Sequence, residues 1–118
     1  MSKAKTAIIV RPRISIGDEI SIGPGKIDLL QKIRETHSIS AAGRALGIPY
    51  KRAWLLIDSL NQGFGQPVVA TISGGKGGGG TSLTPLGEAL LVRYIALEER
   101  MNAASVKELD ALQKLAKY

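Results

Sequence analysis

Three groups of residues in this chain of 118 could do chemistry by type and spacing. The first is Lys51-Arg52, two adjacent cations just after Pro49-Tyr50. In the first turn of a helix such a pair is placed to meet nucleic acid, because a guanidinium forks onto the acceptors of guanine and an ammonium takes guanine or phosphate. The second is Ser38-Ile39-Ser40, ahead of an alanine-rich run. Serine there caps a helix, and the same helix N-terminus can receive a phosphate, so capping and anion binding read alike. The third is Lys76, alone among five glycines in Gly74-Gly75-Lys76-Gly77-Gly78-Gly79. The phosphate-cradling loop of nucleotide hydrolases needs Ser or Thr directly after Gly-Lys. Gly77 stands there instead, so that reading fails. A flexible tip holding one cation against DNA backbone or minor groove fits better.

Other chemistries are excluded by what the chain lacks. His37 is the only histidine and there is no cysteine, so no metal-ligand spacing, disulfide framework or thiol nucleophile exists. No Ser/His/Asp set or paired carboxylates assemble, so no catalytic residues, enzyme activity or cofactor are expected. The apolar stretches Ala7–Val10 and Ala89–Val92 are far short of the roughly 18 residues that span a bilayer. The four apolar residues after Met-Ser-Lys-Ala-Lys-Thr are too few for a signal peptide. A cytoplasmic protein without membrane contact is expected. The net charge of +6 is unevenly placed: residues 1–84 carry eleven Lys/Arg against five acids, and residues 85–118 carry five of each. A surplus confined to the first part fits a polyanionic partner such as double-stranded DNA.

The elements that must position these residues follow from periodicity. Arg13-Ile14-Ser15-Ile16 and Glu19-Ile20-Ser21-Ile22 alternate with period two around Gly17-Asp18, which predicts a hairpin with Ile14, Ile16, Ile20 and Ile22 on the buried face. Ile27, Leu30 and Ile33 predict a helix over about 25–36. A short second helix starts at Ser38 or Ser40 and ends at Gly47, and Pro49 opens a third running to about Gln62, before Gly63. At 100° per residue, Leu56, Ile57, Leu60 and Phe64 fall within about 60° of Ala53, while Lys51, Arg52, Leu55, Asp58, Ser59 and Gln62 face away. Gly43 and Gly47 supply close helix packing and a positive-φ turn; Ala42, Leu46, Ile48, Ala53 and Leu56 take the positions to be buried. Residues 67–73 and 80–83 read as strands around the glycine run. Thr84-Pro85 then caps a long helix.

The resulting fold class is mainly α (α+β): a winged helix-turn-helix over residues 1–84, with an N-terminal hairpin, the helix-turn-helix at about 38–62 and the wing at about 67–84. Residues 85–118 form a linker or dimerisation helix. Leu90, Tyr94, Leu97, Met101 and Ala104 recur at spacings of four and three, a seam that predicts a homodimer. The stripe then passes to Leu109, Leu112 and Ala116, and Ser105-Val-Lys-Glu108 reads as a capping box, so a kink or break is expected near Ser105. The predicted DNA contacts are Ser38, Ser40, Lys51, Arg52, Ser59 on the same outer face, and Lys76.

Ile22-Gly-Pro-Gly-Lys26-Ile27, Ser38-Ile-Ser-Ala-Ala-Gly-Arg-Ala-Leu-Gly47, Tyr50-Lys-Arg-Ala-Trp54, Gly74-Gly-Lys-Gly-Gly-Gly-Gly80 and Leu83-Thr-Pro-Leu-Gly87 together resemble the N-terminal domain of ModE-like molybdate-responsive transcriptional regulators. More distantly the chain resembles the LysR-type DNA-binding domain. The resemblance covers roughly residues 10–100. It implies a bacterial transcription regulator, a winged helix-turn-helix dimerised through the long C-terminal helix, with recognition by Tyr50, Lys51 and Arg52 and wing contacts around Lys76. In that family molybdate is sensed by separate C-terminal domains. The chain ends at Tyr118, so a stand-alone DNA-binding module on an inverted-repeat operator is expected, and direct binding of molybdate is not. Two alternatives stand beside it: an interaction protein that heterodimerises with a full-length regulator through residues 85–118, and a small anion-binding protein.

Overall fold

The structure, a computed structural model, describes residues 9–75 and 78–116. Two short strands, β1 (Ile14–Ile16) and β2 (Ile20–Ile22), precede three helices, α1 (Pro24–Thr36), α2 (Ile39–Leu46) and α3 (Tyr50–Phe64). A second hairpin, β3 (Val69–Gly75) and β4 (Gly78–Leu83), leads into α4 (Pro85–Ala104) and α5 (Val106–Leu115). Both hairpins are antiparallel, and each forms its own two-stranded sheet. Three helices followed by a hairpin is the winged helix-turn-helix that the periodicities predict.

The core forms where the apolar faces of α1, α2, α3 and α4 converge. Leu29, Leu30 and Ile33 of α1, Ala42 of α2, Ala53, Ile57 and Leu60 of α3, Val68, and Leu91 and Tyr94 of α4 are buried. Each large aliphatic side chain among them contributes roughly 1.5–3 kcal/mol of transfer free energy, which dwarfs any single surface pair. Leu46, Ile48, Leu56 and Phe64 pack partly against this cluster. The N-terminal segment ties α1 to α4. Arg11 pairs with Asp28 at 2.6 Å and with Glu98 at 3.2 Å. Asn102 accepts from the Val10 amide at 2.7 Å and donates to its carbonyl at 2.9 Å, as a strand partner would. The Tyr94 hydroxyl donates to the Pro12 carbonyl at 2.7 Å. Burial pushes its pKa up, so the donor keeps its proton.

Several local expectations are corrected. Ile16 is 49% exposed, because the hairpin turn spans Gly17–Glu19 and its tip reaches beyond the core. Pro49 is the N-cap of α3, not its first helical residue. Gly63 does not end α3: the helix runs to Phe64 and stops at Gly65, whose φ is +69°. The reason lies in packing, since a Cβ at Gly63 would stand 2.9 Å from the Ile20 side chain, so glycine there admits the first hairpin. The glycine run is drawn into the strands: β3 extends to Gly75 and β4 starts at Gly78, which pair with each other after a register shift between Ile72 and Gly75. Backbone pairing needs no side chains, and the run's apolar poverty is no bar to it. The break at Ser105 is present. The capping box is not: the Ser105 hydroxyl turns back to donate to the Met101 carbonyl, leaving α5 without a side-chain cap.

The two best-formed helix starts use the expected residues. Ser38 Oγ accepts from the Ala41 amide at 2.9 Å. Thr84 Oγ1 accepts from the Gly87 amide at 3.1 Å and donates to the Pro67 carbonyl at 2.8 Å. Gly87 is pressed against the strand entry, where an added Cβ would lie 2.2 Å from the Val68 carbonyl oxygen. Alanine's helix advantage of about 1 kcal/mol cannot offset a backbone clash that no rotamer relieves, and overpacking typically costs about 1–3 kcal/mol. Gly87→Ala is therefore expected to lower the unfolding free energy by about 2 kcal/mol or more in urea titration; an unchanged or higher midpoint would contradict this contact. Ser38→Ala is expected to lose about 1 kcal/mol in the same titration, the usual value of an N-cap.

Candidate nucleic-acid interface

The helix-turn-helix is set by how closely α2 and α3 approach. Gly47 takes φ +69°, and the Ile48 amide donates to the Gly43 carbonyl at 2.9 Å. A Cβ at Gly43 would meet the Ile48 carbonyl oxygen at 3.1 Å and the Ala53 methyl at 3.8 Å. With Ala53, Ile57 and Leu60 turned inward, the opposite face of α3 has nowhere to go but out. Lys51, Arg52, Leu55, Asp58, Ser59 and Gln62 are all exposed. Leu55 is 54% exposed at the centre of that ridge.

A groove runs along each side of the ridge. On the wing side, Tyr50 (57% exposed) and half-buried Trp54 meet edge to face at 6.4 Å, opposite Ser38, Ser40, Thr71 and Ile72. The wing is held there through His37, a left-handed residue (φ 58°) that ends α1; its carbonyl accepts from the buried Thr81 of β4 at 2.9 Å. On the first-hairpin side, the groove is lined by Arg13, Gly23, Gly25, Lys26, Arg52 and Ser59, among others. Lys26 donates to the Ser21 carbonyl at 2.7 Å and to Ser59 Oγ at 3.0 Å. Its pKa is pushed down, first by burial and then by the cations of Arg13 and Arg52.

The predicted contact residues thus fall into distinct settings. Tyr50, Lys51 and Arg52 stand together on the exposed first turn of α3. The Ser38 hydroxyl is engaged as a cap, whereas exposed Ser40 accepts from Arg44 at 3.3 Å. Ser59 is exposed but positions Lys26. Lys76 lies outside the described residues. Of the predicted seam, Tyr94 is turned into the chain's own core, Leu90 and Met101 are half-buried, and Leu97 and Ala104 are exposed. Arg13 and Lys26 were not among the predicted contacts. Nothing in their spacing links them to α3; the packing of the first hairpin and of α1 against α3 brings them to Arg52. Among the described residues no group of His, Asp and Glu could hold a metal, and no helix is long and apolar enough to cross a membrane.

No family model matches the chain. It is 42% identical over 93 residues to the molybdenum-pterin-binding protein MopB of Rhodobacter capsulatus, covering 79% of this chain and 33% of that protein. It is 32% identical over 123 residues to the molybdenum transport protein ModE of Azotobacter vinelandii, covering 93% and 46%. With the DNA-binding transcriptional dual regulator ModE of Escherichia coli K12 it shares 36% identity over 86 residues, covering 73% and 33%. The chain therefore spans between a third and a half of the length of these relatives. Among solved structures, a LysR family transcriptional regulator superposes with a TM-score of 0.55 at 19% identity, over 80% of this chain and 30% of that one, which is a likeness of fold. Along most of its length the chain is thus homologous to part of the ModE and MopB proteins, and its architecture is a winged helix-turn-helix.

Proposed function

We propose that the chain is a DNA-binding transcription regulator that acts as a homodimer on an inverted-repeat operator. The observation that carries this reading is the exposed first turn of α3, which projects Tyr50, Lys51 and Arg52 from a helix whose other face is locked in the core. The basic surplus of residues 1–84 favours the same partner, and relatives carry the names of transcriptional regulators. In this reading the α3 ridge enters the major groove, where Lys51 and Arg52 meet guanine acceptors and Leu55 meets thymine methyls. Ser40 and the wing, including Lys76, take backbone contacts.

The homodimer is supported by apolar surface that the protomer leaves uncovered. Ile16 and Leu97 are 49% and 38% exposed around a cleft lined by Ile14, Ile22 and Leu90. Helix α5 has ten residues and no buried side chain, with Val106, Leu112 and Leu115 at 62%, 57% and 82% exposure. A helix shorter than roughly 12–15 residues is marginal alone, so a partner's surface is the natural source of its stability. Leu90, Leu97, Met101 and Ala104 form the seam in this reading. The same uncovered surface would equally serve a heterodimer with a full-length regulator.

Two measurements test these assignments. Lys51→Ala is expected to weaken binding to the preferred duplex by about 1–3 kcal/mol and to an unrelated duplex by less, in fluorescence anisotropy at fixed salt. Equal losses on both would make Lys51 a phosphate contact. Leu97→Glu with Met101→Glu is expected to leave a folded monomer by sedimentation and circular dichroism, with much weaker operator binding. A wild-type chain that sediments as a monomer at tens of micromolar with full operator affinity would refute the dimer.

A further inference from the structure

The groove on the first-hairpin side of α3 gathers cations without counter-ions. Arg13 just before β1, Lys26 in the first turn of α1 and Arg52 in the first turn of α3 line one concavity of about 480 Å³. No carboxylate lines it. Among the described residues none of these three makes an ion pair, whereas Arg11, Lys32 and Arg34 each do. Two of the three cations are also held in place. The Arg13 guanidinium lies over Gly23, close enough that a Cβ there would stand 2.7 Å from Nη1. Two of the three Lys26 donors go to the Ser21 carbonyl and to Ser59, which leaves one for a ligand. Like charges assembled this way repel one another, and the cation field acting on Lys26 is the kind that an anion would relieve.

The position of this groove identifies the anion. A helix with its side chains is about 10–12 Å across, and the major groove is about 12 Å wide, so a helix lying in it has a phosphate strand along each flank. The wing lies along one flank of α3. The Arg13–Lys26–Arg52 groove lies along the other. We infer that Arg13 and Lys26, at the flank of the base-reading Arg52, form a seat for one backbone phosphodiester of DNA, which makes the N-terminal hairpin and the start of α1 part of the DNA interface. The inference rests on the DNA-binding reading above. The recognising chemistry is that of a tetrahedral oxyanion, and a free phosphate would satisfy the same donors, so the test separates the two sources.

The full chain and its variants are titrated with the preferred and an unrelated duplex across a salt series. Arg13→Ala is expected to lower the magnitude of the slope of log K against log salt by about 0.9, with a loss of about tenfold near 0.1 M on both duplexes. Lys32→Ala removes the same charge away from the groove and is expected to leave the slope unchanged. Gly25→Asp introduces a carboxylate where the space for a Cβ is open, and an acid in the first turn suits the helix dipole. That variant is expected to keep or raise the thermal midpoint while losing at least tenfold in affinity on both duplexes. Wild-type slopes for Arg13→Ala and wild-type affinity for Gly25→Asp, with the parent binding duplex normally, would overturn the seat and leave the DNA-binding reading intact. A parent that binds no duplex overturns that reading instead. The seat then stands, for free phosphate, only if inorganic phosphate raises the thermal midpoint of the parent and not of Arg13→Ala, and it falls if no such difference appears.

Discussion

Where α2 meets α3 even a Cβ added on the first helix would be tight, and the second presents only a methyl. Gly43 sits against the Ile48 carbonyl and the Ala53 methyl, and both Ala42 and Ala53 are fully buried. That contact sets the angle and rotation of α3. Once Ala53, Ile57 and Leu60 are committed to the core, Lys51, Arg52 and Leu55 must face solvent, and none of them can be withdrawn without taking the aliphatic face out of the protein. A buried aliphatic side chain is worth roughly 1.5–3 kcal/mol, so the rotation of the helix is secured by several such terms together. The exposed basic turn follows from packing on the opposite side of the same helix.

The remaining elements shape the flanks of that ridge. The wing is anchored at two points: the Thr81 amide donates to the His37 carbonyl, and the Val68 amide donates to Asn61 Oδ1 of α3. Both are ordinary hydrogen bonds, but they join β4 to the α1–α2 turn and the entry of β3 to α3, which holds the wing beside that helix. The other flank is set by the first hairpin, whose Ile20 packs where Gly63 has no side chain. The Arg11 pairs with Asp28 and Glu98 lie at the surface, where such pairs contribute about 0–1 kcal/mol, so they orient the N-terminal segment more than they stabilise it. The bonds of Asn102 to Val10 and of Tyr94 to Pro12 are partly buried and hold the same segment across α4.

Much of this fold is legible in the residues themselves, because its helices are amphipathic and its boundaries carry strong local chemistry. The Ser38 and Thr84 caps, the positive φ at Gly47 and the break at Ser105 all depend on neighbours within a few positions. What was not legible depends on partners distant in sequence. Gly63 reads as a stop signal, yet it serves the approach of a hairpin some forty residues earlier. The glycine run reads as a loop because no side chain announces a strand, and pairing across Gly75 and Gly78 is a property of two backbones. Ser105 and Glu108 match a capping box, but a nearer carbonyl at Met101 takes the hydroxyl. The convergence of Arg13 and Lys26 on Arg52 is of the same kind: three residues up to 39 positions apart, brought together by tertiary packing alone.

In the proposed function, the solvent face of α3 reads duplex DNA as one half of a symmetric pair. Selection of bound sequences by the full chain from a pool of random duplexes tests it most directly. The expected result is enrichment of an inverted repeat whose half-sites are centred about one helical turn apart, or a multiple of it, as two recognition helices related by a two-fold axis require. A pool that returns no enriched sequence, or one enriched only in a single non-repeated site, would contradict it.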